Sequence, residues 1–280
     1  MLSRVPAPAL FLVSGLTMYA GAAVAVGLFG QVGAPAVGWW RILLAAVVLL
    51  AWRRPWRRPW TLRRLGWAAT FGVALAAMNI AFYLGIAHLP LGVAVAIEFC
   101  GPVGVAAVTG RGWRERGAIV VAGIGVVLLA GVTFGSIPHD DAVIGLSAIA
   151  AAAVFWAAYI VLGKRVAGAG AGIDSLAVGM AAGALVFAPF FGASARTVAP
   201  DLRLLALLLV VAVCSSVVPY VLDQVVLRRA GTATFAVLTA LLPATAVVVG
   251  AVVLRQVPTW PEAAGLALVS GAIVMTARAR

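Results

Sequence analysis

The sequence predicts an all-α polytopic membrane protein: ten transmembrane helices in two inverted five-helix repeats, with both termini cytoplasmic. Three observations carry that prediction. Apolar residues make up 64 % of the chain and charged residues 10 %, against roughly half and a quarter in soluble domains. A soluble globule of 280 residues needs a more polar exterior than this, so the bilayer is the solvent. The second observation is the length and continuity of the apolar runs, and the third is where the arginines fall between them.

Apolar runs bounded by charge, glycine or proline lie near 8–29, 35–52, 66–87, 91–109 and 116–132. A second set lies near 143–163, 173–192, 203–227, 231–253 and 259–277. At about 20 residues per span the chain accommodates ten such helices and no sizeable soluble domain. Backbone groups in hydrocarbon must bond within their own segment, so the runs are helices. Their lack of alternation excludes a transmembrane barrel. The run behind Arg4 reads as an uncleaved first helix, because membrane spans continue after it.

The 20 Lys and Arg test this layout. With a cytoplasmic N-terminus, Arg196, Arg203 and Arg255 fall outside and Arg41 lies within a span. The rest fall inside, as the positive-inside rule requires. Trp52, Trp56, Trp60 and Trp67 cluster at the inner interface, and His139, Asp140 and Asp141 fall in an outer loop. The net charge of +12 is thereby explained by topology, and nucleic acid is not expected as a partner.

The two repeats divide the chain into 1–137 and 138–280. Aligning Pro102 with Pro243 brings Pro90 onto Gly231 and Glu98 onto Thr239. Five spans per half is odd, so the second half is inverted. Inverted repeats with interrupted helices build transporter sites at the midplane.

The stretch Ile97-Glu98-Phe99-Cys100-Gly101-Pro102 is the most informative in the chain. A mid-span carboxylate costs several kcal/mol and therefore faces a partner or a wet cavity. Pro102 has no N–H and leaves the carbonyl of residue 98 without its helical bond, and Gly101 eases the distortion. Pro219 likewise frees the carbonyl of Ser215, and Pro243 that of Thr239. Arg41 and Glu98 both lie roughly 9–11 Å below the outer surface, with Asn79 near 12 Å. At that depth Arg41 and Glu98 can meet as an ion pair, either to tie helices together or to handle substrate and protons. Asp223 lies deeper, where it either joins the site or snorkels to Arg228 and Arg229. Tyr19, Tyr83, Trp156 and Tyr159 fall within spans as cavity lining or as packing. Gly179-x-x-x-Gly183 fits close helix packing, between the halves or between the subunits of a homodimer.

Other chemistry is not expected. No P-loop precedes a Lys-Ser/Thr pair, Gly123-x-Gly125 sits inside an apolar helix, and His88 and His139 are isolated. Cys100 and Cys214 each lie in an apolar stretch and suggest neither metal site nor disulfide. No cofactor is called for. A membrane-embedded enzyme needs polar catalytic residues gathered at one interface, and none are gathered here.

The sequence resembles the EamA-type families of the drug/metabolite transporter superfamily, and within them the inner-membrane threonine/homoserine exporters of bacteria. The likeness is carried by Val32-Gly33-Ala34-Pro35, Arg41, Met78-Asn79, Phe82-Tyr83-Leu84 and Pro90-Leu91-Gly92-x-Ala94-Val95-Ala96. It continues in Glu98-Phe99, Gly101-Pro102, Trp156-Ala157-x-Tyr159-Ile160 and Pro219-Tyr220. The resemblance implies a secondary carrier in the bacterial inner membrane that exports small metabolites in exchange for protons. It matches Glu98 to the exporters' Glu-Phe-x-Gly-Pro glutamate, and Asp223 to a Glu after Pro-Tyr. This chain departs from them at Leu242-Pro243, where they resemble Glu-Pro, and at Arg255-Gln256, where they resemble Gly-Glu. It also has Val26 in place of a lysine. These departures bear on cargo rather than fold, and the alternative cargo is drugs or lipophilic cations. Arg41 beside Glu98 argues against a site built only for cations.

Overall fold

The structure, a computed structural model of the chain, describes residues 7–109, 112–167, 172–220, 222 and 241–277. The described residues form helices and no strands. In chain order these are α1 (Ala7–Val26), α2 (Ala34–Arg53), α3 (Leu62–His88), α4 (Leu91–Glu98), α5 (Cys100–Thr109) and α6 (Trp113–Ser136). Then follow α7 (His139–Ala167), α8 (Gly172–Phe191), α9 (Leu202–Ala212), α10 (Leu241–Val253) and α11 (Trp260–Ala277).

The helix boundaries follow local chemistry. Gly33 turns the chain at φ +86°, and Pro35 sits in the first turn of α2, where its missing N–H is harmless. Arg54, left-handed at φ 48° and followed by Pro55, ends that helix. The Thr61 hydroxyl caps α3 by accepting from the Arg64 N–H at 3.2 Å. The Asp201 carboxylate caps α9 by accepting from the N–H groups of Arg203 and Leu204. Glu262 caps the start of α11, its Oε2 accepting from the Thr259 N–H at 2.7 Å and from the Thr259 hydroxyl at 2.9 Å.

Among the described residues seven stretches are long and apolar enough to cross a membrane: Ala9–Val26, Ala34–Arg57, Leu62–His88, Arg116–Ser136, His139–Gly163, Gly172–Val198 and Leu202–Tyr220. Shorter apolar helices at Leu91–Val105, Leu241–Val253 and Trp260–Met275 stand where the fourth, ninth and tenth spans are expected. Large apolar side chains such as Val127, Val154, Leu185 and Val252 point outward, which suits a lipid exterior. The chain is a multi-pass membrane protein. The expected outer loop at His139–Asp141 is instead the first turn of α7. Acidic side chains favour a helix N-terminus, and Asp141 Oδ1 lies 2.7 Å from His88 Nδ1 at the end of α3.

Helix α3 packs on α7 and α8, α2 on α8, α6 on α11, α1 on α9 and α10, and α4 on α10. Glycines permit the closest of these crossings. A Cβ on Gly72 would run into the backbone of Gly179, and one on Gly183 would lie 2.8 Å from the Ala76 Cβ. The Gly179-x-x-x-Gly183 motif is therefore used inside the chain, between α8 and α3. The Trp39 indole seals the neighbouring contact by donating to the Ala184 carbonyl at 2.8 Å. At the α6–α11 crossing Gly125 and Gly265 each face the other's carbonyl, at 3.0 and 3.1 Å from the position of a Cβ.

Candidate functional site

The site grows from an arginine in the middle of an apolar helix. Arg41, on α2, is 5 % exposed. Its neighbours in α2 are small or apolar, so satisfaction must come from another helix. It comes from α9, whose α-helical path relaxes into a π-helical turn over Val213–Val217 just ahead of Pro219. Pro219 has no N–H to give the Ser215 carbonyl, and Arg41 Nη2 donates to that carbonyl instead. Arg41 Nε donates to Ser216 Oγ at 2.8 Å. The guanidinium also lies over the Tyr83 ring, 5.5 Å from its centroid. A proline-freed carbonyl in a membrane helix needs a partner from a neighbour, and here that partner is a cation. Helix α1 closes the other side of the turn, where Ser215 Oγ donates to the Met18 carbonyl at 2.8 Å and Tyr19 follows, buried.

Glu98 is the counter-charge. It ends α4, and the helix breaks at Phe99 before α5 resumes at Cys100. Pro102 is the third residue of α5, so its missing N–H coincides with the break. The Glu98 side chain is 8 % exposed and forms no salt bridge among the described residues. Arg41 is the other buried charge of the membrane interior, on α2. The direct ion pair anticipated from their common depth is not formed; Arg41 directs Nε and Nη2 to Ser216 and Ser215 instead.

The remaining candidates separate into near and far. Tyr83 is fully buried, packed on Phe29 and under Arg41, and its hydroxyl has no hydrogen-bond partner. Trp156 stands at the helix break, its ring edge against Phe99 at 4.6 Å. Asn79 is buried one turn below Tyr83, its amide donating to its own helix at the Leu75 carbonyl. Tyr159 stacks on Phe71 at 4.6 Å, against a second apolar cluster of Leu75 and Met180 that Val217 and Tyr220 also pack on. Pro243 is buried near the start of α10, while Thr239 and Asp223 lie outside the described residues.

Gly101 has a stronger constraint than helix flexibility. A Cβ there would fall on the Ala153 carbonyl of α7, so Gly101 allows the broken helix to lie against α7. Gly101→Ala is expected to destabilise the protein by about 1–3 kcal/mol, read as a lower thermal midpoint of the purified protein. Gly104→Ala, with open space around its Cβ position, is the matched control. Equal midpoints for the two variants would remove this role.

Ser216 was not among the sequence candidates, and Ser215 entered only through its carbonyl. Two adjacent serines four and three residues before a proline in a membrane helix are the signal that points to both. A cleft of about 220 Å³ opens beside the start of α4, lined by Pro90, Val93, Arg255, Gln256 and Glu262. Gln256 Oε1 there accepts from the Leu91 N–H at 2.9 Å, and Arg255 adopts φ 58°.

A buried cation bonded to a π-helical turn and a buried anion at a second helix break, inside an all-helical membrane domain, are features of membrane transporters. Comparison with known proteins agrees. The EamA-like transporter family matches residues 143–278. The threonine/homoserine exporter RhtA of Escherichia coli (strain K12) is 34 % identical over 251 residues, 89 % of this chain and 84 % of that protein. The threonine/homoserine exporter RhtA of Salmonella typhimurium (strain LT2) is 34 % identical over 250 residues, 89 % of this chain and 83 % of its own. A crystal structure of another protein shares the fold at TM-score 0.58 and 18 % identity, across 96 % of this chain and 95 % of that one. The chain belongs to the EamA-like transporter family.

Proposed function

We propose that this protein is a secondary-active exporter of threonine, homoserine or closely related small amino acids, driven by proton exchange across the bacterial inner membrane. The observation that carries the reading is the unpaired Arg41–Glu98 couple. An amino-acid zwitterion presents a carboxylate and an ammonium together. Arg41 is suited to the carboxylate, and Glu98 to the ammonium or the exchanged proton. Tyr83 supplies a buried hydroxyl short of a partner beside Arg41. The related exporters' names supply the cargo class. A cation-only cargo, as for lipophilic drugs, would leave the Arg41 charge opposed to its substrate.

The reading includes ten spans in two inverted repeats, 1–137 and 138–280, with cytoplasmic termini. Seven long spans and three shorter apolar helices support the count. Contacts of α2 with α8, α4 with α10 and α6 with α11 support the symmetry, since each joins corresponding positions of the two halves. The reciprocal Gly125–Gly265 contact supports it again. The arginine distribution favours the orientation.

The test is uptake of radiolabelled threonine and homoserine into inside-out vesicles, with and without an imposed pH gradient. Uptake is expected to need the gradient, and Glu98→Gln is expected to reduce it to the background of empty vesicles. Gradient-dependent uptake by Glu98→Gln equal to wild type would remove Glu98 from coupling. Absence of uptake by folded, correctly oriented wild type would remove the amino-acid cargo.

A further inference from the structure

The linker that runs from the last residue of α2 into the first turn of α3 carries Arg53, Arg54, Arg57, Arg58, Arg63 and Arg64 with no acidic residue among them. One carboxylate reaches this group from elsewhere. Asp174, 1 % exposed at the start of α8, lies 2.9 Å from Arg53 Nε and 2.9 Å from Arg58 Nη1. That buried acid is shared by two arginines. Arg54, Arg57 and Arg63 are exposed and form no ion pair among the described residues.

The linker is also built rather than loose. Pro55 is buried at the head of a 3₁₀ turn through Arg57, and the Trp60 indole donates to the Pro55 carbonyl at 3.0 Å. Arg64 lies over Trp60, its guanidinium carbon 4.1 Å from the ring centroid. Its Nη1 reaches only the Pro59 carbonyl, at 3.5 Å. Its Nε and Nη2 are buried with no acceptor at all. Two orphaned donors on a cation are uncommon in a folded protein and call for an anionic acceptor.

The surroundings indicate which anion. Trp56 is 64 % and Leu62 88 % exposed, on the same segment as the free arginines. Exposed indole and leucine beside arginine at the end of two membrane helices place the segment at the headgroup level of the bilayer. Clustered arginines next to a membrane helix attract anionic lipid, and a phosphate matches the guanidinium fork. We propose that the Arg53–Arg64 linker is a binding site for the headgroup phosphate of an anionic phospholipid, with Arg57, Arg63 and Arg64 as its donors. The lipid would relieve the orphaned Arg64 donors and tie α2 to α3 at their membrane boundary.

The experiment uses the full chain purified in a neutral detergent and follows thermal unfolding with added phosphatidylglycerol, phosphatidylcholine or inorganic phosphate. Phosphatidylglycerol at saturation is expected to raise the midpoint by roughly 5 °C, and phosphatidylcholine not at all. The double variant Arg57→Gln/Arg63→Gln, both exposed and outside the transport site, is expected to keep less than half of that rise. Quenching of tryptophan fluorescence by brominated phosphatidylglycerol over brominated phosphatidylcholine gives a second readout that does not depend on the variant's own midpoint. It should be selective in the wild type and lose that selectivity in the variant. Equal responses to the two lipids, or an unchanged response in the variant, would overturn the site. A full rise with inorganic phosphate alone would assign the site to a free ion and overturn the lipid.

Discussion

Arg41→Ala is expected to abolish transport and to destabilise the fold by about 3 kcal/mol, the scale of two hydrogen bonds from a charged donor. The physical reason lies in α9 rather than in α2. Pro219 leaves the Ser215 carbonyl without a helical donor, and Arg41 occupies it. Removing the guanidinium leaves a carbonyl bare in a low-dielectric interior, together with the Ser216 hydroxyl that Arg41 Nε now bonds. This account makes a second, less obvious demand. Adding Pro219→Ala to Arg41→Ala returns a backbone N–H four residues after Ser215, so the carbonyl can close its own helical bond. The double variant should regain roughly 1–2 kcal/mol of the lost stability while transport stays absent. Thermal unfolding of the purified single and double variants measures the first claim, and vesicle uptake the second. A double variant no more stable than Arg41→Ala would show that the proline-freed carbonyl is not what Arg41 satisfies.

Gly72→Ala is expected to be the most disruptive methyl addition among the described glycines. The added Cβ would occupy the space of the Gly179 backbone, and backbone cannot rotate aside as a side chain can. Helices α3 and α8 would have to separate, which strips packing from Gly183, Ala76 and the Trp39–Ala184 hydrogen bond beside them. Overpacking of this kind costs about 3 kcal/mol or more. Gly123→Ala on α6 provides the contrast, because nothing lies within reach of its Cβ and alanine is the better helix former by about 1 kcal/mol. The yield of folded monodisperse protein should collapse for Gly72→Ala and hold or rise for Gly123→Ala. Similar yields would mean that α3 and α8 are not in backbone contact.

Much of this was legible in the sequence because the bilayer enforces a coarse code. Apolar length, charge exclusion and the placement of arginine each follow from solvation, which acts residue by residue, so spans could be marked without knowing any contact. The break near Glu98 was legible for a similar reason, since a proline removes a donor at a known offset. The same rule pointed to the Ser215 carbonyl. What filled it was not legible, because the partner lies 174 residues away in the chain. Depth alone made Arg41 and Glu98 look like a pair. Depth locates a residue along the membrane normal and says nothing of its azimuth around the bundle.

The sequence by itself determined that this is a multi-pass helical membrane protein with charge in its interior and prolines at chosen points, because those properties depend on transfer between water and hydrocarbon. Only the tertiary structure decided that Arg41 bonds the π-helical turn rather than Glu98 and that Tyr159 stacks on Phe71. It alone decided that Gly179 and Gly183 serve α3 within the chain, and that Arg64 keeps donors with nothing to bond. Each of those outcomes depends on which helices meet and in what rotation. The physical reason is that hydrogen bonding and close packing are short-ranged and directional, whereas hydrophobic transfer is neither.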